Sequence, residues 1–206
     1  MFDALFTTTT EYKKLSHALS GKGACALFGL PASGRAQVYA ALCRQLDKPL
    51  CIVTPGEAEA TRFAADLNTL GIPAAVFPAR DYVLRPIEGT AREYEYRRLA
   101  VLGELVGGRL RAVAVPAEAL TQFTTPKEDF CANTRTLHAG DTLLRDDLLA
   151  ALFGAGYTRR AQVDGPGQFS VRGDIVDIFA PDQKMPVRME FWGDEIDTLH
   201  TFDLTT

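Results

Sequence analysis

The 206-residue sequence predicts an α/β chain of two domains: a parallel sheet flanked by helices, then a smaller α+β domain with an antiparallel sheet. Three observations predict it. Short apolar runs alternate with helical segments as far as Pro116, which is the grammar of a parallel sheet covered on both faces. Beyond Pro116 period-two alternation takes over, as in strands with one buried and one wet face. The composition, 47% hydrophobic and 23% charged, is that of an ordinary globular chain, and no apolar run approaches the ~20 residues a membrane helix needs. The start of the chain shows no basic then apolar leader, so the expectation is a cytoplasmic protein without membrane association. The domains are expected at 1–116 and 117–206.

The elements follow in order. Tyr12, Leu15, Ala18 and Leu19 form one helical stripe within Glu11–Ser20, with threonines before it as caps and Gly21 and Gly23 to stop it. Ala24–Phe28 reads as a first strand, followed by a glycine loop and a helix whose apolar face is Val38, Ala41, Leu42 and Leu46. Leu50–Val53 is a second strand. Ala60, Phe63, Ala64 and Leu67 then mark one face of a helix that Gly71 and Pro73 terminate. Ala74–Phe77 is a third strand, Ala91–Val106 a helix ended by Gly107 and Gly108, and Arg111–Val115 a fourth strand. In the second domain Asp146–Phe153 is a helix ended by Gly154 and Gly156. Val163–Ile178 forms a ribbon with a turn at Gly165-Pro166-Gly167 and a bulge or close approach at Gly173. Val187, Met189 and Phe191 alternate with Arg188 and Glu190, and Gly193-Asp194 is a hairpin turn.

The glycine loop, Gly29 to Ala36, reads G-L-P-A-S-G-R-A and lies over the phosphate-loop pattern G-x-x-x-x-G-K-[ST] between a strand and a helix. That pattern uses a lysine on the terminal phosphates and a hydroxyl on magnesium. Here those places hold Arg35 and Ala36: alanine cannot ligate a metal, and the planar arginine fork fits the lysine position poorly. The first domain is therefore expected to be P-loop NTPase-like in shape with a degenerate loop (Gly29, Gly34, Arg35, Ala36) and no working nucleotide chemistry.

Cys25, Cys43, Cys51 and Cys131 lie mostly in apolar segments without a C-x-x-C pair and read as reduced core thiols. His17, His138 and His200 accompany no nucleophile or ligand motif, so neither a metal site nor a catalytic residue is expected. Up to Pro116 the chain has 14 Lys+Arg against 11 Asp+Glu, and after it 8 against 15, or +3 and −7. The acidic second part is a poor non-specific nucleic-acid binder. Arg92, Arg97, Arg98, Arg109 and Arg111 could form a DNA surface in the first part, but interleaved Glu93, Glu95 and Glu104 favour a solvated face.

The stretch Gly167-Gln168-Phe169-Ser170-Val171-Arg172-Gly173-Asp174-Ile175-Val176-Asp177-Ile178-Phe179-Ala180-Pro181, with Pro186-Val187-Arg188-Met189-Glu190-Phe191-Trp192-Gly193-Asp194-Glu195-Ile196 after it, carries a specific resemblance. It resembles the second domain of the nucleotide-excision-repair protein UvrB and the UvrB-like N-terminal module of the transcription-repair coupling factors. Gly156-Tyr157-Thr158-Arg159 and Phe202-Asp203 fit the same pattern, and the first 116 residues fit the domain that precedes it. UvrB has an intact phosphate loop and a long tyrosine-rich hairpin after the segment equivalent to Phe77-Pro78. Here only Ala79–Thr90 intervenes, and the loop is altered, so the resemblance favours the coupling-factor module. It implies a non-catalytic fragment that recruits UvrA to stalled RNA polymerase in transcription-coupled nucleotide excision repair. ATP and magnesium would then act at a separate motor domain, and RNA polymerase and DNA would engage domains outside this chain. Arg159 and Arg172 match arginines of the UvrA-binding surface of UvrB, Arg160 adjoins them, and Ser170 stands where UvrB has another arginine. Phe169 reads as core. The alternative is an ATP-dependent DNA-processing enzyme of the UvrB type.

Overall fold

The computed structural model describes residues 7–21, 24–46, 48–80 and 91–204. Gly23 and most of the segment 79–90, on which parts of the sequence reading rest, lie outside them. Residue contacts divide the chain into two compact units, Met1–Pro86 with Val101–Phe123, and Ile87–Ala100 with Thr124–Thr206.

The first unit is built on a three-stranded parallel sheet, β1 (Leu50–Thr54), β2 (Ala74–Val76) and β3 (Ala112–Pro116), in the order β1-β3-β2. Strand β3 is central and buried along its whole length. Helix α1 (Thr10–Ser20) is started by Thr9, whose hydroxyl accepts the Tyr12 N–H at 3.3 Å, satisfying one of the donors a helix start leaves open. Its buried face is Tyr12 and Ser16, which both donate to the Gln45 side-chain carbonyl at 3.0 Å at the end of α2 (Ala32–Gln45), whereas Leu19 is exposed. Helix α2 buries two sides. Val38, Ala41 and Leu42 meet Tyr12, while Ala36, Ala40 and Cys43 join Ile52, Ala112 and Ala114 of the sheet. Arg111 donates to the Cys43 carbonyl at 2.6 Å and to that of Leu46, so the last turn of α2 is closed by a side chain. In α3 (Glu57–Thr69) the four expected residues, Ala60, Phe63, Ala64 and Leu67, are the buried ones, and Gly71 at φ +76° provides the left-handed exit that favours glycine. Across the sheet, Val101, Leu102 and Leu105 of α4 (Ala91–Val106) pack with Phe77, Leu110, Val113 and Val115.

Two expectations fail among the described residues. Residues 24–28 form no strand, and Cys25, Leu27 and Phe28 are exposed, Phe28 at 88%. An apolar run becomes a strand only where a neighbour supplies a hydrogen-bonding ladder, and among the described residues none lies beside it. Cys25, Cys51 and Cys131 are exposed, so only Cys43 is a core thiol. Burial pushes the Cys43 thiol up, against smaller opposing effects of Arg111 and Arg44. Three of the arginines weighed as a DNA surface have partners within the chain. Arg111 closes α2, Arg109 pairs with Glu104 at 2.9 Å, and Arg98 is buried with its guanidinium 2.7 Å from Thr124.

Two short helices that the sequence reading did not anticipate precede the second unit's sheet in the chain: α5 (Ala117–Leu120), in the first unit, and α6 (Lys127–Ala132), in the second. Helix α7 (Arg145–Gly154) then lies on a five-stranded sheet. Its strands are β4 (Thr158–Arg159), β5 (Gln168–Arg172), β6 (Ile175–Phe179), β7 (Val187–Trp192) and β8 (Glu195–Thr201), in sequence order across the sheet. Only β4 with β5 is parallel; the others are antiparallel. Helix α7 ends in a left-handed Gly156 at φ +84°, with the Tyr157 N–H returning to the Leu152 carbonyl at 2.9 Å. This closure satisfies late helical carbonyls and launches β4. Leu148 and Leu152 pack on Phe169, Val176, Ile178, Met189, Phe191 and Ile196. Gly173, expected as a close approach or bulge, is instead in the β5–β6 hairpin turn at φ +59° with open space beside it, and the irregularity lies between Glu190 and Phe191. Gly193-Asp194 is the β7–β8 turn, as its sequence implies. At Gly167 the left-handed φ of +74° favours glycine, and a side chain there would have to displace the Tyr96 hydroxyl.

Tyr157 sits between β4 and the core, and burial, reinforced by the charges of Asp182 and Tyr96, pushes its phenol up to about 12 from an ordinary value of 10. The folded state therefore favours the neutral phenol. Stability is untouched below pH 10, and it falls between pH 10 and about 12, where the unfolded chain has lost the proton and the folded chain has not. In a titration at 295 nm, the component removed by Tyr157→Phe is expected to have its midpoint near 12. A midpoint at 10 would mean that the ring is not packed as described.

Candidate partner-binding surface

The pleat of the five-stranded sheet assigns each side chain to one of two faces, because alternate residues of a strand point opposite ways. Phe169, Val176 and Met189 define the face covered by α7. The register then places Gln168, Ser170 and Arg172 of β5 on the other face. Beside them stand Ile175, Asp177 and Phe179 of β6, Arg188 and Glu190 of β7, and Thr198 and His200 of β8.

A polar network braces this outer face. Arg188 donates through Nε and Nη2 to the two carboxylate oxygens of Asp177, at 2.7 and 2.9 Å, and Ser170 Oγ lies 3.4 Å from the same carboxylate. Asp177 and Ser170 are almost fully buried, at 3% and 1% exposure. A buried carboxylate requires a paired and hydrogen-bonded partner, and the parallel fork of Arg188 supplies both. The hydrogen bond to Asp177 is the largest influence on the Arg188 guanidinium and raises its affinity for the proton. The guanidinium also lies 4.9 Å from the centre of the Phe202 ring, which adds a cation–π contact. Ser170 is thus a buried member of this network.

Of the residues singled out in the sequence, Arg159, Arg160 and Arg172 are all exposed. Arg172 donates to the Ala161 carbonyl at 3.1 Å, and the Arg160 N–H continues the β4–β5 ladder to the Phe169 carbonyl at 2.8 Å. Arg160 and Arg172 therefore belong to one face and one neighbourhood. Arg159 is opposite Phe169 in the register and begins on the other face, at the free edge that β4 forms among the described strands. Phe169 is fully buried, with its ring edge-on to Phe153 at 5.1 Å, so it packs the core as expected. Sequence reasoning missed the Asp177–Arg188 pair. Its signal was present, since opposite charges stood at outward-facing positions of two adjacent strands, but their register was needed to join them.

The glycine loop is in the first unit. Gly29 has φ +79°, helix α2 already starts at Ala32, and Gly34 is within its first turn. Arg35 reaches Glu59 of α3 at 3.9 Å, and Ala36 is 3% exposed in the core against the sheet. Among the described residues there is no cluster of three or more His, Cys, Asp or Glu side chains able to hold a metal, and no helix long and apolar enough to cross a membrane.

Residues 136–206, which contain α7 and the whole five-stranded sheet, match the family described as the UvrB interaction domain. Over most of its length the chain is similar to the transcription-repair-coupling factor of Bacillus subtilis, with 29% identity over 179 residues, 86% of this chain and 15% of that protein. The transcription-repair-coupling factor of Mycobacterium tuberculosis is 38% identical over 182 residues, 84% of this chain and 14% of that protein. UvrABC system protein B of Chlorobium limicola is 28% identical over 193 residues, 86% of this chain and 28% of the relative. The chain thus spans about a seventh of the coupling factors and little more than a quarter of that UvrB. Residues 136–206 thus carry the match to the UvrB interaction domain, and the chain is similar to part of transcription-repair-coupling factors and to part of UvrB proteins.

Proposed function

We propose that this chain is the non-catalytic part of a cytoplasmic transcription-repair coupling factor that recruits UvrA to stalled RNA polymerase in nucleotide excision repair. Its docking surface is the arginine-bearing outer face and β4 edge of the five-stranded sheet. The observation that carries the reading is a coincidence: the segment matching the UvrB interaction domain is the same segment that folds into the sheet bearing exposed Arg159, Arg160 and Arg172. RNA polymerase, DNA and an ATP- and magnesium-dependent motor belong to parts of the longer protein beyond this chain. Binding of UvrA by the wild-type chain and by Arg159→Ala, Arg160→Ala and Arg172→Ala tests it. Loss of a central arginine anchor removes packing and charge-assisted hydrogen bonds, commonly ~2 kcal/mol, or about thirtyfold in affinity. All three variants are expected to weaken binding while remaining folded, with the largest loss at Arg172. Equal affinities across the set would place the docking surface elsewhere.

The similarity to UvrB, 28% identity for one relative, supports a second reading as an ATP-dependent DNA-processing enzyme. In the first unit we read a P-loop NTPase-like fold whose loop is degenerate. Arg35 turned toward Glu59 and Ala36 packed in the core support that reading, because the pattern needs a cation on the phosphates and a hydroxyl on magnesium at those places. Isothermal calorimetry is expected to detect no micromolar ATP–magnesium binding to this chain. Binding of that strength would favour the UvrB-type enzyme.

A further inference from the structure

Trp192 is the chain's single tryptophan and is 83% exposed, while its neighbour Phe191 is 6% exposed in the core. It ends β7 opposite Glu195, directly before the Gly193-Asp194 turn. Alternation with buried Phe191 places Trp192 on the outer face, two residues beyond Glu190. Glu190 is in turn opposite Ile175, and Ile175 is opposite Arg172. Two strand spacings and one two-residue step separate Arg172 from Trp192, on the order of 12 Å, well within the span of one interface core.

We infer that Trp192 is a second anchor of the surface that carries Arg172, inserted into an apolar socket of a protein partner whose carboxylates receive the arginines. This rests on the reading of that face as the docking surface. Tryptophan and arginine dominate binding energy where a pocket excludes water from them, and an indole left in water offers a large apolar area for burial. Charge selects the occupant. Asp177 is neutralised by Arg188, leaving exposed Arg160 and Arg172 to attract carboxylates on one side of the face. Around the indole itself Asp194 and Glu195 are exposed and Glu190 lies on the same face. That acidic border repels phosphates, so base stacking by a nucleic acid is disfavoured relative to an apolar protein socket.

Because the chain has a single tryptophan, 5-fluorotryptophan labelling gives one fluorine resonance that reports on this site. Titration with UvrA is expected to shift or broaden it saturably. Trp192→Ala is expected to weaken UvrA binding at least tenfold and Trp192→Phe less, with unchanged circular dichroism and hydrogen exchange. Unchanged affinity of Trp192→Ala alongside weakened Arg172→Ala would overturn the anchor and leave the docking surface in place. No binding of UvrA by the wild-type chain would overturn the docking reading itself. A comparable saturable shift with single-stranded DNA in place of UvrA would overturn the choice of a protein occupant.

Discussion

Phe169→Ala is expected to destabilise the second unit by about 3–5 kcal/mol, the range found when a large buried aromatic is removed from a packed core. The ring has no exposure, is edge-on to Phe153, and lies among Leu148, Leu152, Val176, Ile178 and Met189. These contacts come from both layers, helix α7 on one side and strands β5 to β7 on the other, so no single element can move inward to refill the space. The cost therefore combines lost transfer energy with an unfilled cavity. Because small domains are stable by only about 5–15 kcal/mol, the variant should show a large drop in urea midpoint and early hydrogen exchange in β5 to β7. Phe169→Leu, which keeps most of the volume, should lose much less. A loss below about 1 kcal/mol for the alanine variant would mean that α7 collapses onto the sheet and that this core is less rigid than its packing implies.

Much of this architecture is legible in the sequence because the signals are local. The four buried residues of α3 follow from the 3.6-residue period, and α4 runs from Ala91 to Val106 as its pattern and the glycines after it require. The Gly193-Asp194 turn is likewise local. What was not legible depends on partners distant in sequence. Ala24–Phe28 has the composition of a strand but no ladder beside it among the described residues, and three cysteines in apolar surroundings prove exposed. The arginine surface shows the same limit. Arg159 and Arg160 are adjacent in sequence, yet which of them shares a face with Arg172 is set by the parallel register of β4 on β5. That register joins segments separated by the Gly165-Pro166-Gly167 turn, and no two-residue alternation can reveal it. Exposed Trp192 follows from alternation once Phe191 is known to point inward.

Asp177→Ala is expected to cost about 3 kcal/mol, the lower end for breaking a buried ion pair, because the Arg188 side chain retains 31% exposure while that of Asp177 has 4%. The loss arises chiefly from what is left behind. Arg188 would keep a charge held over the Phe202 ring without its bidentate acceptor, and the buried Ser170 hydroxyl would lose its nearest acceptor. The pair itself need contribute little, since taking both ions out of water offsets most of their attraction. The combined replacement Asp177→Leu with Arg188→Met should therefore recover most of the stability that Asp177→Ala loses. A double-mutant cycle in urea separates these terms. If Asp177→Ala and Arg188→Met were additive within about 0.5 kcal/mol, the network would not be coupled. If they are strongly coupled, the outer face is braced from beneath. On the proposed docking reading, the same variants should then also weaken UvrA binding through a displaced Arg172, even though neither Asp177 nor Arg188 is exposed.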